Sequence, residues 1–434
     1  MNVLLTDQRR ENDAPCAHSN SVQSEKFKKT ILPAYTCVLR GTGCILSALQ
    51  SLLSVRWAWC PRLENQVQIF SVMQFIVSFL IIGPICSVVM LYLLWTDYWW
   101  VTASYTTWLV YDWNTHKQAG RRFSWVRNWT VWTYYRDYFP VRLIKTHNLL
   151  PNRNYILGYH PHGIFCFGAF CNFATEANGF SAKFPGITPF VATLAGNFHM
   201  PLVREYLMSA GICPVNRATL EFILSCNGTG NAVVITVGGA AESLDCTPGV
   251  HCVTLKNRKG FVKLALQQGA DLVPVYSFGE NDVYKQLILN EGSWWRLIQR
   301  RLQKILGFAP CVFQGRGLFS PDTWGLVPFS KPINSVVGKP MEMPKISSPS
   351  QEEVNHYHTM CVLTLHYSER TNVCQQFKPF VKYCISSRHT LSCIISCLYV
   401  LILLFSGSVC IFKENIVQRE TIYLNSQMYL NFST

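Results

Sequence analysis

Hydrophobic positions along the chain change character three times. The first thirty-five residues are polar and carry Arg9, Arg10, Lys26, Lys28 and Lys29. From Leu63 to His116 there is no Lys or Arg, and the only acids are Glu64, Asp97 and Asp112. Within that stretch the run from Ile69 to Trp95 exceeds the ~20 residues a helix needs to cross a hydrocarbon core. A second, shorter run from Tyr98 to Tyr111 is rich in Trp and Tyr. The pattern predicts either two helices that turn near Thr96 and Asp97, or a re-entrant hairpin bent at Gly83 and Pro84. Trp95, Trp99 and Trp100 suit an interfacial level. Arg40, Arg56 and Arg62 precede the stretch and Lys117, Arg121, Arg122 and Arg127 follow it, so both flanks read as cytosolic by the positive-inside rule. A buried helix pair in a soluble core is the competing reading, disfavoured because soluble helices ordinarily keep a polar face.

From Lys117 onward short apolar runs alternate with helical periodicity. Tyr155 to Tyr159, Phe190 to Leu194, Ala232 to Val237 and Leu272 to Phe278 read as buried strands. Pro201 to Ala210, Ala218 to Cys226, Lys259 to Gln268 and Trp294 to Leu306 read as helices. That alternation predicts an α/β fold. Ser350 followed by Glu353 has the spacing of a capping box that starts a last helix at Gln351. The expected division is a polar region 1–62, a hydrophobic hairpin 63–116, a catalytic domain 117–360 and a tail 361–434. The tail holds a further apolar run, Cys393 to Phe412, long enough to span.

Composition narrows the class. With 434 residues, 49% hydrophobic and 14% charged, the chain is too apolar for a disordered polymer. The eighteen cysteines include no C-x-x-C pair, and the N-terminus lacks the apolar core of a secretory signal, so a reduced, cytosol-facing catalytic portion is expected. Sequons at Asn128, Asn227 and Asn431 carry little weight there. The net charge of +14 does not gather into a stripe with aromatic platforms, so an anionic membrane surface explains it better than nucleic acid.

The sharpest chemical feature is Tyr159-His160-Pro161-His162-Gly163, at the end of an expected strand. An imidazole there titrates near neutrality and could take a proton from an alcohol as it attacks a carbonyl. A turn with a satisfied buried histidine is the plainer alternative, and a His-x-His metal site is a third, with His251 and Cys252 as weak further ligands. Gly238-Gly239-Ala240-Ala241-Glu242 follows another buried strand. Its glycines allow close approach of a ligand, and Glu242 could orient an imidazole or bind an alcohol proton, or be an ordinary solvated turn residue. Arg258 and Lys259 start a helix, where they could hold the phosphates of a coenzyme A donor or simply be solvated. There is no Gly-x-Ser-x-Gly elbow, Walker loop or strand-linked Gly-x-Gly-x-x-Gly, which removes support for lipase, nucleotidase and dehydrogenase readings.

In their order, Tyr138-Phe139-Pro140, His160-Pro161-His162-Gly163, Gly238 to Glu242 and the block from Arg258 to Glu280 resemble the monoacylglycerol and diacylglycerol acyltransferase family. The resemblance covers roughly Arg40 to Met360 and is strengthened by Thr146-His147-Asn148-Leu149, Leu194-Ala195-Gly196-Asn197-Phe198 and Asp322-Thr323-Trp324-Gly325. It implies a glycerolipid-acyltransferase-like mixed sheet with flanking helices behind a transmembrane helical hairpin. It also implies an enzyme of the endoplasmic reticulum and lipid droplets that esterifies diacylglycerol with a fatty acyl-CoA, needs no metal or other cofactor and works as a homo-oligomer. His162 would be the general base, with His160 shaping or sharing that role. Gly163, Tyr138, Phe139, Pro140, Gly238, Gly239, Arg258 and Lys259 would contact substrate, and the family's neutral-lipid-binding stretch falls on Phe79-Leu80-Ile81-Ile82. The His-x-x-x-x-Asp motif of glycerolipid acyltransferases at large is absent, which leaves Glu242 as a conjectural orienting carboxylate. From Cys361 the chain departs from the family's pattern. Two rivals stand beside this reading: a monoacylglycerol or long-chain alcohol acceptor, and a non-enzymatic protein that tethers neutral lipid through its hairpin.

Overall fold

Runs rich in Val, Ile and Tyr form the middle of a seven-stranded sheet because β-branched and aromatic side chains fit a pleated, doubly covered surface. In the computed structural model the described residues are 61–250, 252–318, 323–365 and the two-residue strand Ile422–Tyr423. The polar start 1–60 and the apolar run 393–412 lie outside the described residues. The strands are β1 (Arg142–Lys145), β2 (Tyr155–His160), β3 (Thr188–Thr193), β4 (Ile212–Pro214), β5 (Asn231–Thr236), β6 (Asp271–Phe278) and β7 (Asn334–Val337). Their order across the sheet is β1-β7-β6-β2-β5-β3-β4. All neighbours are parallel except β7 and β6, so the sheet is mixed.

Side chains alternate between two cores with the period of two that a strand imposes. Leu157 and Tyr159 of β2, Val234 of β5 and Val275 of β6 enter one core. Ile156, Val233, Ile235 and Tyr276 enter the other. The second core is closed by α6 (Gly260–Gln268), whose Phe261, Leu264 and Ala265 face the sheet at helical spacing and whose C-cap is Gly269 at φ +65. A helix over 351–365 follows. Its predicted capping box is present: Ser350 Oγ accepts from the Glu353 amide at 3.2 Å, and Glu353 Oε2 accepts from the Ser350 amide at 2.7 Å.

Four strands and four helices stand where hydrophobic periodicity places them. β1, β4 and β7 are additional. β4 has three residues, β1 is bracketed by Arg142 and Lys145, and β7 opens on Asn334 and Ser335, so none carries a long apolar run.

The apolar stretch divides in two. Helix α1 (Leu63–Leu93) is the one helix among the described residues long and apolar enough to cross a membrane. Pro84 does not bend the chain back, because the π turn Ser78–Ile82 just before it accommodates the lost donor. The chain reverses at residues 94–98 instead, around Thr96 and Asp97, and α2 (Trp99–Tyr111) returns alongside, with Thr102 Oγ1 donating to the Met90 carbonyl at 2.9 Å. The first turns of α1 belong to the core: Ile69, Val72, Phe75 and Ile76 are buried, and the Phe75 ring lies 4.5 Å from that of Phe170. Beyond them Ile81, Ile85, Val88 and Leu91 are exposed. Helix α4 (Val203–Ser209) holds the pair in place through consecutive residues. Arg204 pairs with Asp112 at 2.6 Å, Glu205 accepts from the Tyr105 hydroxyl at 3.0 Å, and the Tyr206 hydroxyl accepts from Gln74 at 3.1 Å.

Candidate active site

β2, β5 and β6 are parallel neighbours, so their carboxyl ends open on the same edge of the sheet. That is the edge where α/β proteins bind ligands. β2 ends in His160 and delivers Pro161, His162 and Gly163; β5 delivers Gly238 to Ser243; β6 delivers Gly279 and Glu280.

His160 is 3% exposed, and its Nδ1 finds no hydrogen-bond partner among the described residues. Burial, helped by the neighbouring His162, pushes its pKa down to about 3, so the ring is neutral at physiological pH. His162 is partly exposed at the loop. Its Nδ1 lies 3.1 Å from the Gly163 carbonyl and 2.8 Å from Ser243 Oγ. A proton on Nδ1, facing that carbonyl, leaves the lone pair on Nε2. Burial lowers this imidazole's pKa below the usual 6.5, against the opposing pull of the Gly163 carbonyl.

Glu242 holds the loop and leaves the ring to other partners. Its Oε1 accepts from the backbone N–H of His162 at 2.5 Å and its Oε2 from that of Thr254 at 2.6 Å. Gly238 is required beside it, since a Cβ there would meet Glu242 Oε2 at 2.0 Å. Gly239 makes the turn at φ +59. Burial raises the Glu242 pKa to about 7, opposed by those two amides and by Arg258. Arg258 Nη2 is 3.5 Å from the Gly238 carbonyl, whereas Lys259 Nζ reaches Asn355 on the last helix at 2.7 Å.

Sequence reasoning alone does not single out Glu280, the last residue of the block from Arg258. It is 1% exposed. Its Oε2 accepts from the Tyr159 hydroxyl at 2.8 Å and the Gly168 amide at 3.0 Å, while Oε1 has no partner among the described residues. Gly163, at φ +62, lets the histidine loop lie against this carboxyl; a Cβ there would come within 2.8 Å of Glu280 Cγ. Burial raises the Glu280 pKa to about 7, against the Tyr159 hydrogen bond. Ser277 Oγ, Ser335 Oγ and Asn172 continue the buried network behind it, with contacts of 2.9 Å.

Cys166 and Ser243 also touch His162, and either could be imagined as a nucleophile. Burial pushes the Cys166 thiol well above its ordinary range, and Glu280 pushes it further, so it stays a thiol and donates to the His162 carbonyl at 3.1 Å. Ser243 is 1% exposed. Ser243 is therefore closed to a substrate, while Cys166 is half-buried, as His162 is, and differs in being held as a thiol.

Tyr138 and Phe139 lie behind the site. Tyr138 is buried, donates to the Pro328 carbonyl at 2.5 Å and accepts from Arg316 at 3.1 Å. The Phe139 ring lies 4.8 Å from that of Phe167, which opens the helical segment after the histidine loop. Pro140 is exposed. Phe79 lies in the π turn of α1, 6.2 Å from the ring of Phe165, three residues beyond His162. Leu80 beside it is 38% exposed. The apolar helix therefore reaches the segment just after the histidine loop through aromatic contacts, Phe79 with Phe165 and Phe75 with Phe167. His251 is outside the described residues.

Residues 91–378 match the family described as diacylglycerol acyltransferase. The chain is 64% identical over 338 residues to diacylglycerol O-acyltransferase 2 of Danio rerio, covering 78% of this chain and 94% of that one. It is 63% identical over 321 residues to the Homo sapiens diacylglycerol O-acyltransferase 2, covering 74% and 83%. Human 2-acylglycerol O-acyltransferase 3 is 53% identical over 292 residues, covering 67% and 86%.

Proposed function

This chain belongs to the diacylglycerol acyltransferase family, and on that premise we propose that it transfers a fatty acyl group from acyl-CoA to the free hydroxyl of diacylglycerol, releasing triacylglycerol and coenzyme A. The observation that carries the reading is the state of His162: partly exposed at a strand end, neutral, its Nδ1 engaged and its Nε2 left for substrate.

Nε2 takes the hydroxyl proton as the diacylglycerol oxygen attacks the thioester carbon. The tetrahedral intermediate collapses, the C–S bond breaks, and the imidazolium returns its proton to the departing thiolate. Backbone N–H groups of the Gly238–Gly239 turn and of the Gly163 loop are the donors for the oxyanion. His160 shapes the loop from within, and Glu242 positions the His162 backbone. Arg258, beside the glycine turn, is the cation for the anionic part of acyl-CoA. Direct transfer is favoured over an acyl-enzyme because Ser243 is buried, and the half-buried Cys166 is held as a thiol that donates to the His162 carbonyl.

The membrane reading rests on α1 and α2. From Phe79 to Leu93, and back along the 13 residues of α2, each arm extends about 20 Å, short of the ~30 Å hydrocarbon core. These lengths support a hairpin that enters and returns to one side; a domain 117–360 facing the cytosol at the endoplasmic reticulum or a lipid droplet, and a homo-oligomer, complete the reading from the family resemblance alone. Phe79 and Leu80 would then hand diacylglycerol from the membrane to the loop at Phe165. No cofactor beyond the acyl-CoA substrate enters this scheme.

The similarity to a 2-acylglycerol acyltransferase keeps monoacylglycerol as a second acceptor to test. Membranes from cells without their own triacylglycerol synthesis, expressing this chain, are supplied with labelled oleoyl-CoA and, separately, diacylglycerol, monoacylglycerol or a long-chain alcohol. Labelled triacylglycerol from diacylglycerol is expected as the main product. A membrane-resident chain that labels none of the three acceptors would instead be the lipid tether.

A further inference from the structure

Helix α7 (Trp294–Leu306) is built inside out. Ser293 caps its start by accepting from the Arg296 amide at 3.2 Å, and Gly307 ends it at φ +76. The face turned toward the protein is polar. Arg296 is 1% exposed and bonds to Asp245, the Leu244 carbonyl at 3.3 Å and Gln299 at 2.9 Å; buried Gln299 in turn donates to the Pro310 carbonyl at 2.9 Å. The opposite face is apolar and outward, with Trp294 71%, Trp295 69%, Leu297 56% and Ile305 71% exposed. Arg300, Arg301 and Lys304 lie along its flank and edge, all exposed. A helix of a soluble domain faces the other way.

We propose that α7 lies in the plane of an anionic phospholipid surface, with Trp294, Trp295, Leu297 and Ile305 in the boundary between headgroups and acyl chains and with Arg300, Arg301 and Lys304 against the phosphates. The cations supply charge complementarity to that surface, and the paired tryptophans suit its interfacial depth. The Phe165 ring contacts Phe79 of α1 at 6.2 Å and, at 5.6 Å, Phe313, which follows α7. Lipid at α7 and lipid at the outer half of α1 thus flank the same catalytic loop, a second and shallower contact that holds the open edge of the sheet toward the membrane. The inference goes beyond acyl transfer and stands on α7 alone.

The full chain is reconstituted in vesicles of phosphatidylcholine, with and without phosphatidylserine, containing a phosphatidylcholine with a photoactivatable group in its acyl chain, and the labelled peptides are mapped by mass spectrometry. Label is expected on 63–93 and on 294–306, with the second enhanced by phosphatidylserine. Trp294→Ser with Trp295→Ser and Ile305→Ser is expected to cut the label on 294–306 by about tenfold or more, the effect of losing even one buried apolar side chain, and to keep that on 63–93. Arg300→Gln with Arg301→Gln and Lys304→Gln is expected to remove the phosphatidylserine enhancement and serves as the second test should the serine variant fold poorly. Label on 63–93 with none on 294–306 in the unsubstituted chain overturns the proposal. So does protection of 294–306 by cross-linking to a second copy. Absence of label from both segments overturns it together with the membrane reading of α1.

Discussion

The loop at His160–Gly163 and helix α7 break the usual arrangement of a soluble protein in opposite senses. The loop sits on buried polar groups: His160, Glu242 and Glu280 are each 5% exposed or less. The helix turns large apolar groups outward over a polar underside. Helix α6, with Phe261 and Leu264 against the sheet, shows what the same chain does where it meets only water and its own core. The contrast separates two costs with two purposes. In the proposed reaction the buried polar groups hold a neutral imidazole in place for a thioester, and in the proposed membrane contact the exposed apolar groups meet lipid.

Substitution in the loop should have the greatest consequence. His162→Ala should slow acyl transfer by about 10²–10⁴-fold, the usual contribution of a general base, while leaving photolabelling of α7 unchanged. Next come the two helices themselves. Leu264→Ala in α6 removes a side chain that is 6% exposed and should destabilise the chain by about 2–5 kcal/mol, whereas Leu297→Ala in α7, 56% exposed, should change stability in detergent by less than about 0.5 kcal/mol. Thermal melts of both variants read that difference directly. Equal losses would mean that α7 is an ordinary core helix.

A smaller effect is expected from Glu242→Gln. Its two oxygens accept from two backbone amides, and a glutamine offers one acceptor, so one buried N–H loses its partner at a cost of about 1–3 kcal/mol. An unaltered melting temperature would show that the carboxyl does not hold the loop. The finest effect is that of pH. Glu242 and Glu280 have folded-state pKa values raised to about 7 from about 4.5, so the folded state binds more protons than the unfolded one between those values. Their contribution to stability is full below about 4.5 and is lost as pH rises through about 7. Glu280→Gln should flatten the fall in melting temperature over that window; a fall unchanged in the variant would assign it elsewhere.

Much of this arrangement was legible in the residues. His160, His162 and Glu242 follow runs of buried β character, and the ends of adjacent parallel strands must meet. Glu280 is not legible in the same way, because its place beside the histidine loop depends on β6 lying beside β2, a pairing that one strand's composition does not specify. Ser243 and Cys166 reach His162 only through the turns that carry them. The bounds of α7 follow from its periodicity, but periodicity defines two faces without saying which one meets the protein. Arg296 decides that, by finding Asp245 and the Leu244 carbonyl beneath it. The reversal at Thr96 rather than Pro84 was likewise open, because a π turn that absorbs a proline has no sequence signature of its own.

His162, neutral and partly exposed, is the proposed base. Its most direct test is the rate of acyl transfer from oleoyl-CoA to diacylglycerol by the purified full chain, His162→Ala and His160→Ala, each measured from about pH 5 to pH 9. The account predicts that wild-type activity declines only on the acid side, with a midpoint below 6.5, as Nε2 is protonated. It predicts that His162→Ala loses both the rate and that acid limb, and that His160→Ala, whose ring is already uncharged throughout the range, keeps the limb at whatever rate remains. An acid limb that survives in His162→Ala and vanishes in His160→Ala would contradict it and pass the role to the inner histidine.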